Sequence, residues 1–212
     1  SMRGYIDTLL LRNGTLSSEE REHCLRVASK NTSHLSALVD DLFELSKLDS
    51  ANVDPRFEAF SLAELLQDTV QEFELDAAER QIVVEAERPA DPTIVFADIS
   101  LIQRVLENLL RNAIQFTPAG GRIRIGLEKR PKSVAVSISD TGCGIAAADL
   151  DHIFDRFYRR ETGENDDSGS AGLGLAIVKR ILDLHGSRIT VTSELNRGTR
   201  FEFDLQRTPI AA

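Results

Sequence analysis

Two glycine-rich segments constrain this chain more than any other feature. The first, Asp140-Thr141-Gly142-Cys143-Gly144-Ile145, follows residues 134–139, a short alternating run that reads as a strand. Alternation puts Val134, Val136, Ile138 and Asp140 on one face. A carboxylate at the end of an apolar row is partly withdrawn from water and needs a hydrogen-bond donor. Two glycines then let the backbone turn sharply or pass close to something flat. Alone, the motif is equally a strand end closed by an Asp–Gly turn. The second segment, Gly169-Ser170-Ala171-Gly172-Leu173-Gly174-Leu175, opens an apolar-periodic helix that runs through Ile181, Leu182 and Leu184 and stops at Gly186. A glycine-rich loop feeding a helix N-terminus presents free N–H groups and a positive dipole end, which suits a phosphate. The spacing is neither that of a P-loop nor that of a dinucleotide-binding turn.

A third piece lies between residues 98 and 118. Apolar residues at 102, 105, 106, 109, 110 and 113 define one face of a helix, with Asp98 as N-cap and Pro118 beyond its end. Asn108 and Asn112 fall together beside that stripe, near Gln115 and Phe116, while Arg104, Glu107 and Arg111 face away. Two amides at the edge of a core either make ordinary hydrogen bonds or offer oxygens to a hard cation.

Together the three pieces resemble the ATP-binding domain of sensor histidine kinases. Residues 108–118, Asn-Leu-Leu-Arg-Asn-Ala-Ile-Gln-Phe-Thr-Pro, are similar to that family's asparagine motif. Asp140-Thr-Gly-Cys-Gly-Ile resembles its first glycine motif, and Ile153-Phe154-Asp155-Arg156-Phe157-Tyr158-Arg159 its phenylalanine motif. Gly172-Leu-Gly174-Leu-Ala-Ile resembles its second glycine motif. Order and spacing agree across all four, and the likeness extends over residues 15–206. It implies that Asp140 accepts a hydrogen bond from the adenine amino group, and that Gly142 and Gly144 let the base lie on the backbone. Phe116 would pack on adenine or ribose. Asn112, with Asn108 beside it, would coordinate Mg²⁺. Tyr158 and Arg159 would reach the phosphates, and Gly172 and Gly174 would frame the triphosphate. Ile145, Leu173 and Leu175, inside the glycine motifs, belong to the same nucleotide-binding set. Asn108, Asn112 and Arg159 would carry catalysis, since phosphoryl transfer is mostly positioning and charge neutralisation. The polar run 159–171 reads either as a solvated connection or as a lid over the nucleotide.

The sequence departs from the family pattern in three ways. Gln115 stands where the family often has a phosphate-contacting lysine, and Ser170 where the second glycine motif often begins with glycine. The phosphoacceptor run His-Glu/Asp-Leu-Arg-Thr-Pro is missing: His23 precedes Cys24 and His34 precedes Leu35, while His152 and His185 lie in the ATP-binding part. All four read as surface or cap histidines, so the chain is expected to begin just after the acceptor. It would then hold Mg-ATP for transfer to a histidine N-terminal to it, and onward to a response regulator receiver domain. Two other functions compete. A gyrase-, heat-shock- or mismatch-repair-type ATPase would need a glutamate base at position 108, and adjacent Glu107 points about 100° away. The other is a nucleotide-responsive dimerisation module.

The expected fold is α+β: a truncated helical hairpin over residues 1–50, then a two-layer α/β sandwich of the histidine-kinase, gyrase and heat-shock ATPase type over residues 51–212. Residues 2–12 have helical spacing, and Ser17 with Glu20 forms a capping box before a long helix. Leu25, Ala28, Thr32, Leu35, Leu38, Val39, Leu42, Leu45 and Leu48 make a near-heptad seam on it. One hairpin cannot bury that seam, so two copies should pair as a four-helix bundle. Residues 49–55 read as a linker. Beyond it, strands are expected over 56–60, 81–87, 93–97, 122–129, 188–193 and 199–205, with a capped helix to about residue 78. There is no internal repeat. The 42% hydrophobic content supports a real core, and a net charge of -9 argues against nucleic-acid binding. Cys24 and Cys143 show no metal spacing and read as reduced thiols of a cytoplasmic domain. No apolar run is long enough to span a membrane, and no signal peptide is evident, although the parent could still be membrane-anchored.

Overall fold

The computed structural model describes residues 2–11, 15–50, 53–87, 93–158 and 172–207. Helix α1 (Met2–Leu11) packs along the 32-residue helix α2 (Ser18–Asp49). The capping box forms: Ser17 Oγ accepts the Glu20 N–H at 3.2 Å, and the Glu20 carboxylate accepts the Ser17 N–H at 2.8 Å. The apolar seam of α2 divides. Leu45 and Leu48, 2% and 4% exposed, join the core of the following domain, whereas Leu25, Leu35, Val39 and Leu42 are about half exposed. Heptad spacing placed all of them on a dimer seam; the last two instead have a partner within the chain.

The chain continues as β1 (Glu58–Ser61), α3 (Leu62–Glu79), β2 (Val83–Ala86), β3 (Ile94–Ala97), α4 (Ile99–Phe116), β4 (Arg122–Lys129), β5 (Ser133–Asp140), α5 (Gly174–Leu184), β6 (Thr190–Glu194) and β7 (Gly198–Gln206). Strands β2-β4-β5-β7-β6 form a mixed sheet, parallel only between β2 and β4, and β1 pairs with β3 in a separate ribbon. Ile123, Ile125 and Ile138 pack with the helices, while Arg124 and Arg200 occupy the other face of the sheet. This is a two-layer α+β arrangement. Strand β2 starts two residues later than its sequence pattern because Gln81 adopts a left-handed turn (φ 58°) whose carbonyl accepts the Gly120 N–H.

Two helices position the site, and their far ends are tied together. The apolar stripe of α4 is buried at every position read from sequence. Asp98 caps α4 by accepting the Leu101 N–H at 3.1 Å. His185, at the C-terminus of α5, is buried with both ring nitrogens engaged: Nε2 accepts the Asp98 N–H (3.1 Å), and Nδ1 contacts the Ile181 carbonyl (2.8 Å). That geometry requires the neutral ring with its proton on Nδ1. It holds the end of α5 against the start of α4.

Candidate functional site

The cleft, about 670 Å³, opens between α4, the start of α5, the end of α3 and α2. Asn108, Asn112, Gln115 and Gly174 line it together. Asn108 is buried, and its Nδ2 donates to the Arg104 carbonyl at 3.0 Å, which turns Oδ1 toward α5. A Cβ at position 174 would stand 2.9 Å from that oxygen, so glycine there keeps the amide oxygen uncrowded. Asn112 lies one turn further on and is half-buried. Gln115 Nε2 is a buried donor with no hydrogen-bond partner among the described residues. Such a donor costs about 1–3 kcal/mol unless something accepts from it.

Helix α5 begins without a side-chain cap, whereas α2, α3 and α4 are capped by Ser17, Ser61 and Asp98. Its first N–H groups are therefore uncapped by any side chain beside Asn108 Oδ1, and they carry the positive end of the helix dipole. Leu173 is fully buried and Leu175 packs on the core, so only their backbone can serve a ligand.

The first glycine motif is joined to the end of α4. The Cys143 N–H donates to the Phe116 carbonyl at 3.2 Å, and Phe116, the last residue of α4, is 47% exposed. A Cβ at Gly142 would lie 2.5 Å from that carbonyl. Gly144 has φ +67°, and a Cβ there would collide with the Glu194 carbonyl. Ile145 anchors the segment through its N–H to Ser193 Oγ at 2.8 Å. Asp140 Oδ1 accepts two backbone N–H groups, from Gly142 (2.8 Å) and Thr199 (3.3 Å), and Oδ2 has no hydrogen bond among the described residues. Burial pushes the Asp140 pKa above the usual carboxylate value despite those two donors.

Ile153 and Phe154 of the phenylalanine motif pack against the core, while Phe157 is 59% exposed in a left-handed backbone conformation (φ 62°). Its N–H donates to the Gly172 carbonyl at 2.9 Å, which joins this motif to the second glycine motif. Such a φ is a strained choice for a bulky residue. Tyr158, expected at the phosphates, instead donates its hydroxyl to Asp149 at 2.9 Å. Arg159, Ser170 and the proposed lid lie outside the described residues.

The opposite wall of the cleft departs from the sequence reading. Arg104 does not face away but is half-buried against α2, where it pairs with Asp41 (2.7 Å) and Glu44 (2.8 Å). Burial raises the pKa of both carboxylates even though Arg104 opposes it. Burial also works against the Arg104 charge, but Glu44 and Asp41 more than offset it. The pairing joins residues some sixty positions apart, and no local pattern shows it. Among the described residues no group of three or more His, Cys, Asp or Glu could hold a metal ion, and the oxygens beside the start of α5 include the amides of Asn108 and Asn112.

Capped helices thus lie on a mixed sheet, with an uncapped helix start beside Asn108 on a cleft that Asn112 also lines. Residues 97–209, just over half of the chain, match the histidine kinase-, DNA gyrase B- and HSP90-like ATPases, and the chain belongs to that family. It is 37% identical over 217 residues to Drug sensory protein A of Synechocystis sp., covering 97% of this chain and 32% of that protein. It is 29% identical to sensor histidine kinase WalK of Bacillus subtilis, covering 97% of this chain and 34% of the relative. The chain thus spans about a third of the length of these curated relatives. Among solved structures, full-length ShkA in complex with AMPPNP superposes with a TM-score of 0.75 at 27% identity, over 94% of this chain and 42% of that one. Histidine kinase ThkA in complex with response regulator TrrA superposes at 0.78 and 26%, over 100% of this chain and 60% of that one.

Proposed function

We propose that this chain is the ATP-binding core of a sensor histidine kinase, holding Mg-ATP for transfer of its γ-phosphoryl group to a histidine on another segment. The observation that carries this reading is the uncapped start of α5 set against Asn108 Oδ1 and Asn112 across one cleft. A triphosphate placed there meets the helix dipole and free N–H groups around Gly172 and Gly174. Asn112, with Asn108, supplies amide oxygens to Mg²⁺, which when bound neutralises phosphate charge. Gln115 offers its unpartnered, neutral Nε2 donor to the same phosphates. Asp140 accepts from the adenine amino group, Gly142 and Gly144 leave room for the flat base, and Phe116 covers it. Arg159 is assigned to the phosphates because its donors fork. In the reaction the histidine ring nitrogen bonds to the γ-phosphorus, the bond to the bridging oxygen breaks, and ADP leaves with that electron pair.

The AMPPNP bound to ShkA supports the nucleotide, and TrrA bound to ThkA supports a response regulator as the next partner. The gyrase-type reading lacks its base. Glu107 accepts from Gln103 (3.0 Å), lies 3.5 Å from Arg104, and is not on the cleft wall. Asn112→Ala tests the metal site: its affinity for ATP should fall at least about tenfold in Mg²⁺, about 1.4 kcal/mol, and much less in chelator. Equal losses by calorimetry would remove Asn112 as a ligand.

We assign residues 1–50 to a dimerising hairpin and 51–212 to the ATP-binding domain of a cytoplasmic module. No helix among the described residues is long and apolar enough to cross a membrane. Leu25, Leu35, Val39, Leu42 and Phe43 leave an apolar face on α2 exposed in one chain. Sedimentation should show a dimer, and a strict monomer at about 100 μM, where even weak dimers persist, would contradict this assignment.

A further inference from the structure

Among the described residues, helix α2 meets the part of the chain beyond residue 53 at two contacts of different character. Near its end Leu45 and Leu48 are buried in the core, Asp49 pairs with Arg156 at 2.5 Å, and Arg180 Nε donates to the Leu48 carbonyl at 2.9 Å. Apolar burial makes this the durable contact. One to two turns earlier the contact is made by ion pairs. Arg104 of α4 holds Asp41 and Glu44, with Glu107 of its own helix at 3.5 Å. Half-buried ion pairs gain little, because desolvation offsets their attraction. The first contact has the character of a hinge, and the second can open.

The ionic contact also borders the nucleotide cleft. Asp40 and Asp41 of α2 wall the cleft on which Asn108, Asn112 and Gly174 open, and Arg104 and Arg111 are the cations that α4 contributes to it. A polyphosphate at the start of α5 would therefore share the cleft with these two α2 carboxylates, besides Asp76 and Glu79 of α3. It would also find Arg104, one turn before Asn108, already neutralised. We propose that Asp41, Arg104 and Glu44 form a latch that opposes nucleotide: closed, it sets the α2 carboxylates over the phosphate end of the cleft and withholds Arg104; nucleotide binding opens it. The inference rests on the kinase reading above, since it needs phosphates at Asn108, Asn112 and Gly174. Coupling of this kind is reciprocal, so weakening the latch must strengthen nucleotide binding.

The test is calorimetry of Mg-AMPPNP binding to the full chain, its Asp41→Asn single variant and its Asp41→Asn/Glu44→Gln double variant, with circular dichroism to confirm folding. The double variant should bind about five- to tenfold more tightly, a typical coupling factor, and the single variant should fall between. Asp140→Asn in either background should still weaken binding. Unchanged or weaker binding by a folded double variant, while wild type binds, overturns the latch and leaves the cleft assignment standing. No binding by wild type or variant overturns both. A second readout leaves the latch residues intact. Spin labels at Ser33 and Glu79, on opposite walls of the cleft, with Cys24 and Cys143 replaced by alanine, should move apart when AMPPNP is added. An unchanged separation in protein shown to have bound AMPPNP overturns the latch.

Discussion

Asp140→Asn should weaken ATP binding about a hundredfold, about 3 kcal/mol, while leaving the nucleotide-free chain at least as stable. The two effects separate because the two carboxylate oxygens have different work. Oδ1 accepts the Gly142 and Thr199 N–H groups, and an asparagine oxygen can do the same. Oδ2 is the atom assigned to the adenine amino group, and asparagine puts an NH₂ there, donor against donor. The stability effect follows from burial, which raises the pKa of Asp140 in the folded chain. For an acid whose folded pKa lies above its unfolded one, the stabilising contribution is present at low pH and is lost as pH rises through the folded value. The wild type loses it as Asp140 ionises, and asparagine has no such charge to bury. Calorimetry with ATP and a thermal melt without it read the two halves. Unchanged affinity removes Asp140 from the adenine site, and a large fall in Tm would mean that its charge is structural.

The second large effect is an absence: incubated alone with Mg-ATP, this chain should gain no acid-labile phosphate. A histidine acceptor needs an open ring nitrogen in line with the γ-phosphate and an acid to orient the ring. His185 is buried, with both nitrogens engaged. His23 is on α2 with its ring edge-on to Tyr5, and His34 is followed by leucine rather than an acid. His152 comes nearest, with Nδ1 2.9 Å from the Asp155 carboxylate, but it does not line the cleft. Nucleotide should still bind, because the cleft residues do not depend on these histidines. Labelled phosphate on the chain that disappears in His23→Ala, His34→Ala or His152→Ala would make that residue an acceptor.

The sequence was most informative where a local period meets a special residue. The stripe of α4 predicted its buried face and the adjacency of Asn108 and Asn112, because a helix of regular pitch leaves no other placement. Glycines 142, 144 and 174 could be read as close-approach positions because each missing Cβ has a definite steric meaning. Periodicity was silent about partners. It showed that Leu45 and Leu48 belong to a buried face but not that the ATP-binding part covers them, and it turned Arg104 toward solvent because Asp41 and Glu44 lie on a distant helix. Hydrogen bonds between remote segments, such as His185 to Asp98, likewise have no local signature. The uncapped start of α5 was partly legible, since Leu173 cannot cap a helix as Ser17, Ser61 and Asp98 do.

Delivery of a phosphoryl group from this cleft to a histidine on another segment can be followed with γ-labelled ATP, Mg²⁺ and a separate helical protein carrying the His-Glu-Leu-Arg-Thr-Pro run. Acid-labile label should appear on the added protein and none on this chain, and the label should be lost when Asn112→Ala replaces wild type. Release of the label as inorganic phosphate alone, with the added histidine unmodified, would contradict such delivery and identify the cleft as that of a hydrolytic ATPase.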